Sequence, residues 1–189
     1  AEEMDLRYIL GMDPDRLLAP YLKEAGLEPK AENYTNWENT GLDGHVGGHY
    51  LSALSYMYAA TGDQEIKGRL DYYISELKRC ADASGNGYLS GVSNGKNKIW
   101  KEISEGDIRA ASFGLNDGWV PLYNIHKIYA GLRDAYLITG SKDAKKMFLD
   151  LTGWMYDLVS GLTEEQMQDM LRSEHGGLNE VFADAAELS

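Results

Sequence analysis

The chain has one cysteine, Cys80, among 189 residues. That excludes an internal disulfide and a cysteine-built zinc finger. Positive charge is also scarce, with 18 Lys and Arg against 30 Asp and Glu, a formal net charge of −12. A duplex-binding module needs a basic face to displace counterions, and an anionic membrane surface attracts basic segments, so the charge argues against nucleic acid and against membrane docking. No run of about 18 apolar residues is present, so no membrane span is expected. A Walker loop, GxGxxG, GxSxG, CxxC and HExxH are all missing. Most nucleotide, nucleophile-elbow and zincin readings fall with them.

What remains is an ordinary globular composition, 43% hydrophobic and 25% charged, in a length that suits one domain. Proline occurs four times, glycine 21, tyrosine 13 and tryptophan four. This mixture suggests helices separated by glycine-rich turns, with aromatic side chains to spare for a pocket. Asp13 and Pro14 read as a helix start, followed by Leu17, Leu18, Tyr21 and Leu22 at helical spacing, with Gly26 as the stop. Residues 27–48 show no period and are expected to form a long loop. From His49 a helix is plain, and Gly62 and Asp63 separate it from a second helix carrying Ile66, Leu70, Tyr73 and Leu77. Residues 85–118 read as irregular, with turns at Gly85-Asn86-Gly87 and Asn116-Asp117-Gly118. Helices are again expected from Pro121, after Ser141, after Thr163 in a Thr-Glu-Glu-Gln capping box, and from Asn179 to Leu188.

The chain repeats itself. Leu54 and Leu132, Tyr58 and Tyr136, Thr61 and Thr139, and Gly62 and Gly140 are each 78 positions apart. Each block is an amphipathic helix, a Thr-Gly stop and a second amphipathic helix, hence a repeated helical hairpin. A third copy begins near Asp184-Ala185. Such hairpins bury their apolar stripes only by stacking, and at least about three are usually needed. The expectation is an all-α fold of helical-hairpin repeats, truncated from either an α/α toroid or a solenoid. Its cut faces are expected to drive some self-association.

Three of the four histidines, His49, His126 and His175, stand at or just before the first helix of a hairpin. If those helices are parallel inner helices, the imidazoles gather at one end, where helix N-termini favour anions and neutral imidazole. His45 and His49 have the i, i+4 spacing of a zinc pair, but the intervening Gly47-Gly48 argues against a helix there. Glu174-His175-Gly176-Gly177-Leu178-Asn179-Glu180 is the densest polar group and suits acid/base work or the holding of hydroxyls. Tyr34, Trp37, Trp100 and Trp119 lie in irregular segments and offer flat faces that suit a sugar ring, or else anchor their loops. Trp154 reads as core and Cys80 as structural. Asn33-Tyr34-Thr35 fits a glycosylation sequon.

Three segments carry a resemblance: Gly44-His45-Val46-Gly47-Gly48-His49-Tyr50-Leu51-Ser52-Ala53, Trp119-Val120-Pro121-Leu122-Tyr123-Asn124-Ile125-His126-Lys127, and the Glu174–Glu180 segment. In this order they resemble motifs of the bacterial family once called domain of unknown function 1680, now glycoside hydrolase family 127 with the related family 146. The resemblance spans most of the chain, roughly residues 6–184. It implies a β-L-arabinofuranosidase acting on plant glycans, with an α/α toroid followed by β-sandwich domains, and a periplasmic or cell-surface setting. Residues 1–189 would be the N-terminal portion of the toroid. The family's cysteine nucleophile, its zinc and its acid/base glutamate are expected downstream, so no catalytic residue and no metal ligand are expected in this chain. Carried over by motif, His126 and His175 look like pocket histidines, with His49 and Trp119 as neighbours and Glu180 beside them, all as substrate-binding residues. The implied partner is an arabinofuranoside-containing carbohydrate. Two other readings stand beside the enzyme: a non-catalytic carbohydrate-binding helical domain and a helical interaction scaffold.

Overall fold

The computed structural model describes residues 2–189. Helices α1 (Glu2–Gly11) and α2 (Pro14–Glu24) are joined at Asp13, whose carboxylate accepts the Asp15 N–H at 2.9 Å while Pro14 takes the first helical position. A 3-10 turn (Asn36–Asn39) precedes α3 (His45–Thr61) and α4 (Gln64–Ser84). A π-helical turn (Gly95–Ile99) runs into the short α5 (Trp100–Ser104). Three two-residue strands follow: β1 (Ala110–Ala111), β2 (Gly114–Leu115) and β3 (Gly118–Trp119). They form an antiparallel meander in the order β1-β2-β3, with Gly114 opposite Trp119 and Leu115 opposite Gly118. Then come α6 (Pro121–Thr139), α7 (Lys142–Val159), α8 (Glu164–Met170) and α9 (Gly177–Leu188). The domain is all-α apart from this small sheet.

The 78-residue repeat is a structural repeat. Gly62 ends α3 at φ 66° and Gly140 ends α6 at φ 71°, each donating its N–H to a tyrosine carbonyl at 2.8 Å. An L side chain is strained in that left-handed region, so glycine is the stop in both hairpins. Asp63 then caps α4 through the Glu65 and Ile66 N–H groups, and Ser141 caps α7 through that of Ala144.

The long helices form two layers. Gly48 of α3 abuts Lys127 and Ile128 of α6, Leu51 meets Gly131, and Tyr56 reaches Asp134. These contacts advance in the same direction along both helices, so α3 and α6 run parallel. Helix α9 continues the row: Gly177 lies on the His126 ring, Tyr129 meets Phe182, and Arg133 pairs with Asp184. Helices α4 and α7 return antiparallel on the outside and bury the stripes Ile66, Leu70, Tyr73, Leu77 and Ala144, Phe148, Leu151, Met155. The core lies between the layers, and inner and outer rows of this kind build an α/α toroid. Among the described residues, no helix is long and apolar enough to cross a membrane.

Two expectations need correction, and the open readings of Trp100 and Asn33 are decided. Gly47 and Gly48 do not keep the His45–His49 segment from being helical; both lie in the first turns of α3. A side chain at Gly47 would meet Tyr21 and the Tyr73 hydroxyl at 2.7 Å, and one at Gly48 would strike the α6 backbone, with Ile128 N at 2.5 Å. Close packing of helix against helix outweighs the roughly 1 kcal/mol that each glycine costs a helix. The irregular region after residue 85 contains the π-turn and α5, and it buries Trp100. The Trp100 indole donates to the Tyr88 hydroxyl at 3.1 Å and meets Trp154 edge to face, so Trp100 is a core anchor with no open face. The sequon amide of Asn33 is likewise buried, donating to the Glu38 carbonyl and the Asp43 carboxylate.

Candidate functional site

The three segments that carried the resemblance meet in space. They are the N-terminal ends of α3, α6 and α9, side by side in the inner row. Asn124 of the second segment ties them by donating to the Asp43 carbonyl, just ahead of the first, at 2.8 Å.

The start of α3 is built on a carboxylate. Glu38 is buried and accepts the N–H of Gly44 and of Val46, both at 3.0 Å. These are orphan donors of the helix terminus, where negative charge is also favoured by the helix dipole. The same carboxylate lies 2.6 Å from His45 Nδ1, which also lies 2.8 Å from the Leu42 carbonyl. Two acceptors on one nitrogen place the proton on Nδ1. The His45 ring is surrounded by those of Trp37, His49 and Tyr123, each 6.3 Å away between centroids.

The start of α6 is delivered by the meander. The Asn116-Asp117 turn, with φ of 49° and 63°, reverses the chain and presents Trp119 on β3. Val120 then sits at φ 39°, an unusual conformation for a β-branched residue and a mark of a held geometry. Trp119 meets Trp37 edge to face at 6.3 Å, and both keep open surface, at 39% and 62% exposure. Six residues into α6, the His126 ring is covered by Gly177, where even a methyl group would sit 2.7 Å from Nδ1. Lys127 Nζ approaches that Nδ1 to 3.2 Å and also lies over the Tyr123 ring at 4.1 Å. An ammonium donating to Nδ1 leaves the proton of a neutral imidazole on Nε2. Nε2 is buried, and among the described residues it has no hydrogen-bond partner.

The electrostatics favour neutral imidazole. Burial, then the nearby Lys127 charge, pushes the His126 pKa down to about 4. His49 is open to solvent on one side, yet the protein around it, followed by Lys127 and His45, lowers its pKa as well. Burial lowers the Lys127 pKa too, against the opposing pull of Glu174 and Glu180.

The residues expected from the sequence divide as follows. His49, Trp119 and His126 come together at the ends of α3 and α6. Glu180 stands in the first turn of α9, paired with Arg133 at 2.7 Å and close enough to influence His126 and Lys127. His175 is directed elsewhere: its Nδ1 lies 2.8 Å from its own neighbour's carbonyl at Ser173, and its ring lines an apolar groove between α7, α8 and α9. Glu38, Tyr123 and Lys127 were not singled out beforehand. Their signal is weak, because Glu38 lies in a segment without period and the other two are single polar positions on a helix. Tyr34 proves to be a loop anchor, its hydroxyl accepting the Asp13 N–H at 2.8 Å and its ring lying under Arg16.

The donor set does not fit a zinc ion. His45 Nδ1 is committed to Glu38, and among the described residues no group of three or more His, Cys, Asp or Glu side chains is placed to hold a metal ion. Cys80 is fully buried on α4, with its thiol pushed up to about 12 by burial and by Glu76. That is the environment of an inert cysteine. What the arrangement offers is two open tryptophans, a tyrosine, neutral imidazoles, one ammonium and one carboxylate, a set suited to flat faces and hydroxyl groups.

A family model described as the β-L-arabinofuranosidase GH127 catalytic domain matches residues 1–189. No curated protein matches the chain.

Proposed function

The chain belongs to the glycoside hydrolase 127 family of β-L-arabinofuranosidase catalytic domains, and from that premise we propose that it supplies the sugar-binding wall of the enzyme without its nucleophile. The observation that carries this reading is the meeting of the three motif segments at the N-terminal ends of α3, α6 and α9. The ligand is an arabinofuranoside. Its apolar ring face lies on Trp119 and Trp37, and its hydroxyls meet His49, His126, Lys127 and Glu180. The His126 Nε2–H is a buried donor without a partner among the described residues, which a hydroxyl would satisfy.

Catalysis needs more than this. A glycosidase places two groups on either side of one bond, about 5–5.5 Å apart when the configuration is retained. Here Glu38 is spent on the α3 terminus and His45, Asp43 accepts from Asn33 and the Gly41 N–H, and Glu180 faces Arg133. Cys80 is sealed in the core. On this reading the nucleophile, the acid/base group and any zinc belong to residues outside 1–189.

The test is to mix the 189-residue chain with 4-nitrophenyl β-L-arabinofuranoside and follow both binding and nitrophenol release. Binding in the millimolar range with no release is expected. Release that survives purification and is lost in a Cys80→Ala or Glu180→Gln variant would overturn the assignment of the nucleophile elsewhere.

A further inference from the structure

One guanidinium ties the three helices of the candidate site together. Arg133 stands about two turns after His126 on α6, with only 14% of its side chain open to solvent. Its Nε donates to the Asp134 carboxylate at 3.1 Å, and its Nη1 donates to Glu180 and to Asp184 of α9, both at 2.7 Å. The Asp134 carboxylate also accepts the Tyr56 hydroxyl of α3 at 3.4 Å. The network from Tyr56 to Asp184 thus crosses α3, α6 and α9.

Stability alone does not call for it. Taking a guanidinium and a carboxylate out of water costs free energy that their pairing offsets only in part, and well-packed apolar residues make as firm a seam. Leu51 against Gly131 does so between α3 and α6. What the guanidinium adds is direction, because its rigid fork of N–H groups fixes where a carboxylate points. Glu180 belongs to the first turn of α9, whose Gly177 covers the His126 ring. Its charge acts on both His126 and Lys127, yet it pairs with Arg133 rather than with Lys127.

We propose that Arg133 is a positioning residue of the sugar site, holding the Glu180 carboxylate to itself and so keeping it from Lys127 and His126; that these two meet a sugar rests on the reading given under Proposed function. Besides burial, four groups act on the His126 imidazole: Lys127 and Arg133 on its own helix, Glu180 on α9 and His49 on α3. Of the four, only Glu180 favours the protonated ring. With Arg133 gone, Glu180 is free to turn to the imidazole and the ammonium, and both are lost to the ligand.

The experiment follows the His126 ring signals of the 189-residue chain by proton NMR from pH 7 to 3. Arg133→Gln should move the His126 pKa from about 4 to about 5 or above. In a Glu180→Gln background the same substitution should give less than about half of that rise, since the carboxylate it releases is no longer there. A rise of equal size in both backgrounds is what a loosened fold that wets the ring would give, and it overturns the role, as does no rise at all. Should Arg133→Gln fail to fold, Arg133→Lys decides by the same criterion: its ammonium lacks the fork, so a smaller rise that again depends on Glu180 is expected. Calorimetry with methyl β-L-arabinofuranoside supplies the second readout, in which Arg133→Gln should weaken binding about tenfold. Unchanged sugar affinity overturns the link to the site. A Glu180-dependent rise in a chain whose wild type binds no sugar upholds the placement of Glu180 and overturns the sugar reading instead.

Discussion

The hairpins α3–α4 and α6–α7 share a scaffold and differ at one end. Both stop their inner helix at a left-handed glycine and cap the outer helix with a short polar side chain. Their N-terminal turns are unlike. Helix α3 begins on a buried carboxylate that holds His45, with His49 open to solvent. Helix α6 begins on a strained Val120 and Pro121, with its histidine covered by Gly177 and its Nε2 unpartnered among the described residues. The features that repeat are those any stacked hairpin needs. The features that break the repeat are those that shape the candidate site.

The largest expected effect is at the seam between the two. Gly48→Ala places a methyl group against the α6 backbone, where neither side can yield cheaply, and should cost about 3 kcal/mol or more in urea unfolding. Gly131→Ala presses on the Gly48 carbonyl from the other helix and should behave alike, at somewhat lower cost. A tolerated Gly48→Ala would show that α3 and α6 do not touch through their backbones.

Next comes the asymmetric N-terminus. Glu38→Ala strands two helix N–H groups and leaves His45 Nδ1 to the Leu42 carbonyl alone, and should cost about 2–3 kcal/mol. Glu38→Gln keeps an acceptor and should recover part of that in thermal unfolding. Among the described residues no side chain caps α6 in this way, so equal losses from Glu38→Ala and Val120→Ala would erase the distinction between the two helix starts.

His126 sharpens the comparison through pH. Its folded pKa of about 4 lies below the roughly 6.5 of a free histidine. Between those values the unfolded chain holds the extra proton, so stability rises with pH through that window and is lost on acidification from about 6.5 towards 4. His126→Gln should flatten that slope in unfolding curves taken from pH 7 to 4. The same substitution should weaken arabinofuranoside binding about tenfold, roughly 1.4 kcal/mol. His49→Gln should cost less, because that ring is open to solvent and water can stand in.

The smallest effects belong to the shared parts. Gly62→Ala and Gly140→Ala each force a side chain into the left-handed region with open space around it, and should cost roughly 1 kcal/mol apiece. A difference of more than about twofold between them would mean that the two stops are not equivalent.

The sequence made the repeated parts legible because their signals are local. Glycine stops, Asp63, Ser141 and the Thr163 box can be read within four residues, and the 78-residue spacing does the rest. The hairpins left a toroid with parallel inner helices and a solenoid both open, and the structure has the parallel inner row. What escaped reading depended on distant partners. Gly47 and Gly48 look like helix breakers until Tyr21, Tyr73 and Lys127 are seen pressing against them. Trp100 looks free until Tyr88 and Trp154 close over it. Glu38 belongs to no motif and acts only because the 3-10 turn returns it to the α3 terminus. Of the candidate site, His49, Trp119 and His126 were readable as helix starts with aromatic neighbours, whereas the turn of His175 away towards the α7–α9 groove was not.

The four tryptophans allow the most direct test. Trp37 and Trp119 stand at the candidate site, and Trp100 and Trp154 pack together away from it. In a nitrogen–proton correlation spectrum, each indole N–H gives its own signal. Titration with methyl β-L-arabinofuranoside should move the signals of Trp37 and Trp119 and leave those of Trp100 and Trp154 in place. Four unmoved signals at saturating sugar, or shifts confined to Trp100 and Trp154, would contradict a sugar site at the N-terminal ends of the inner helices.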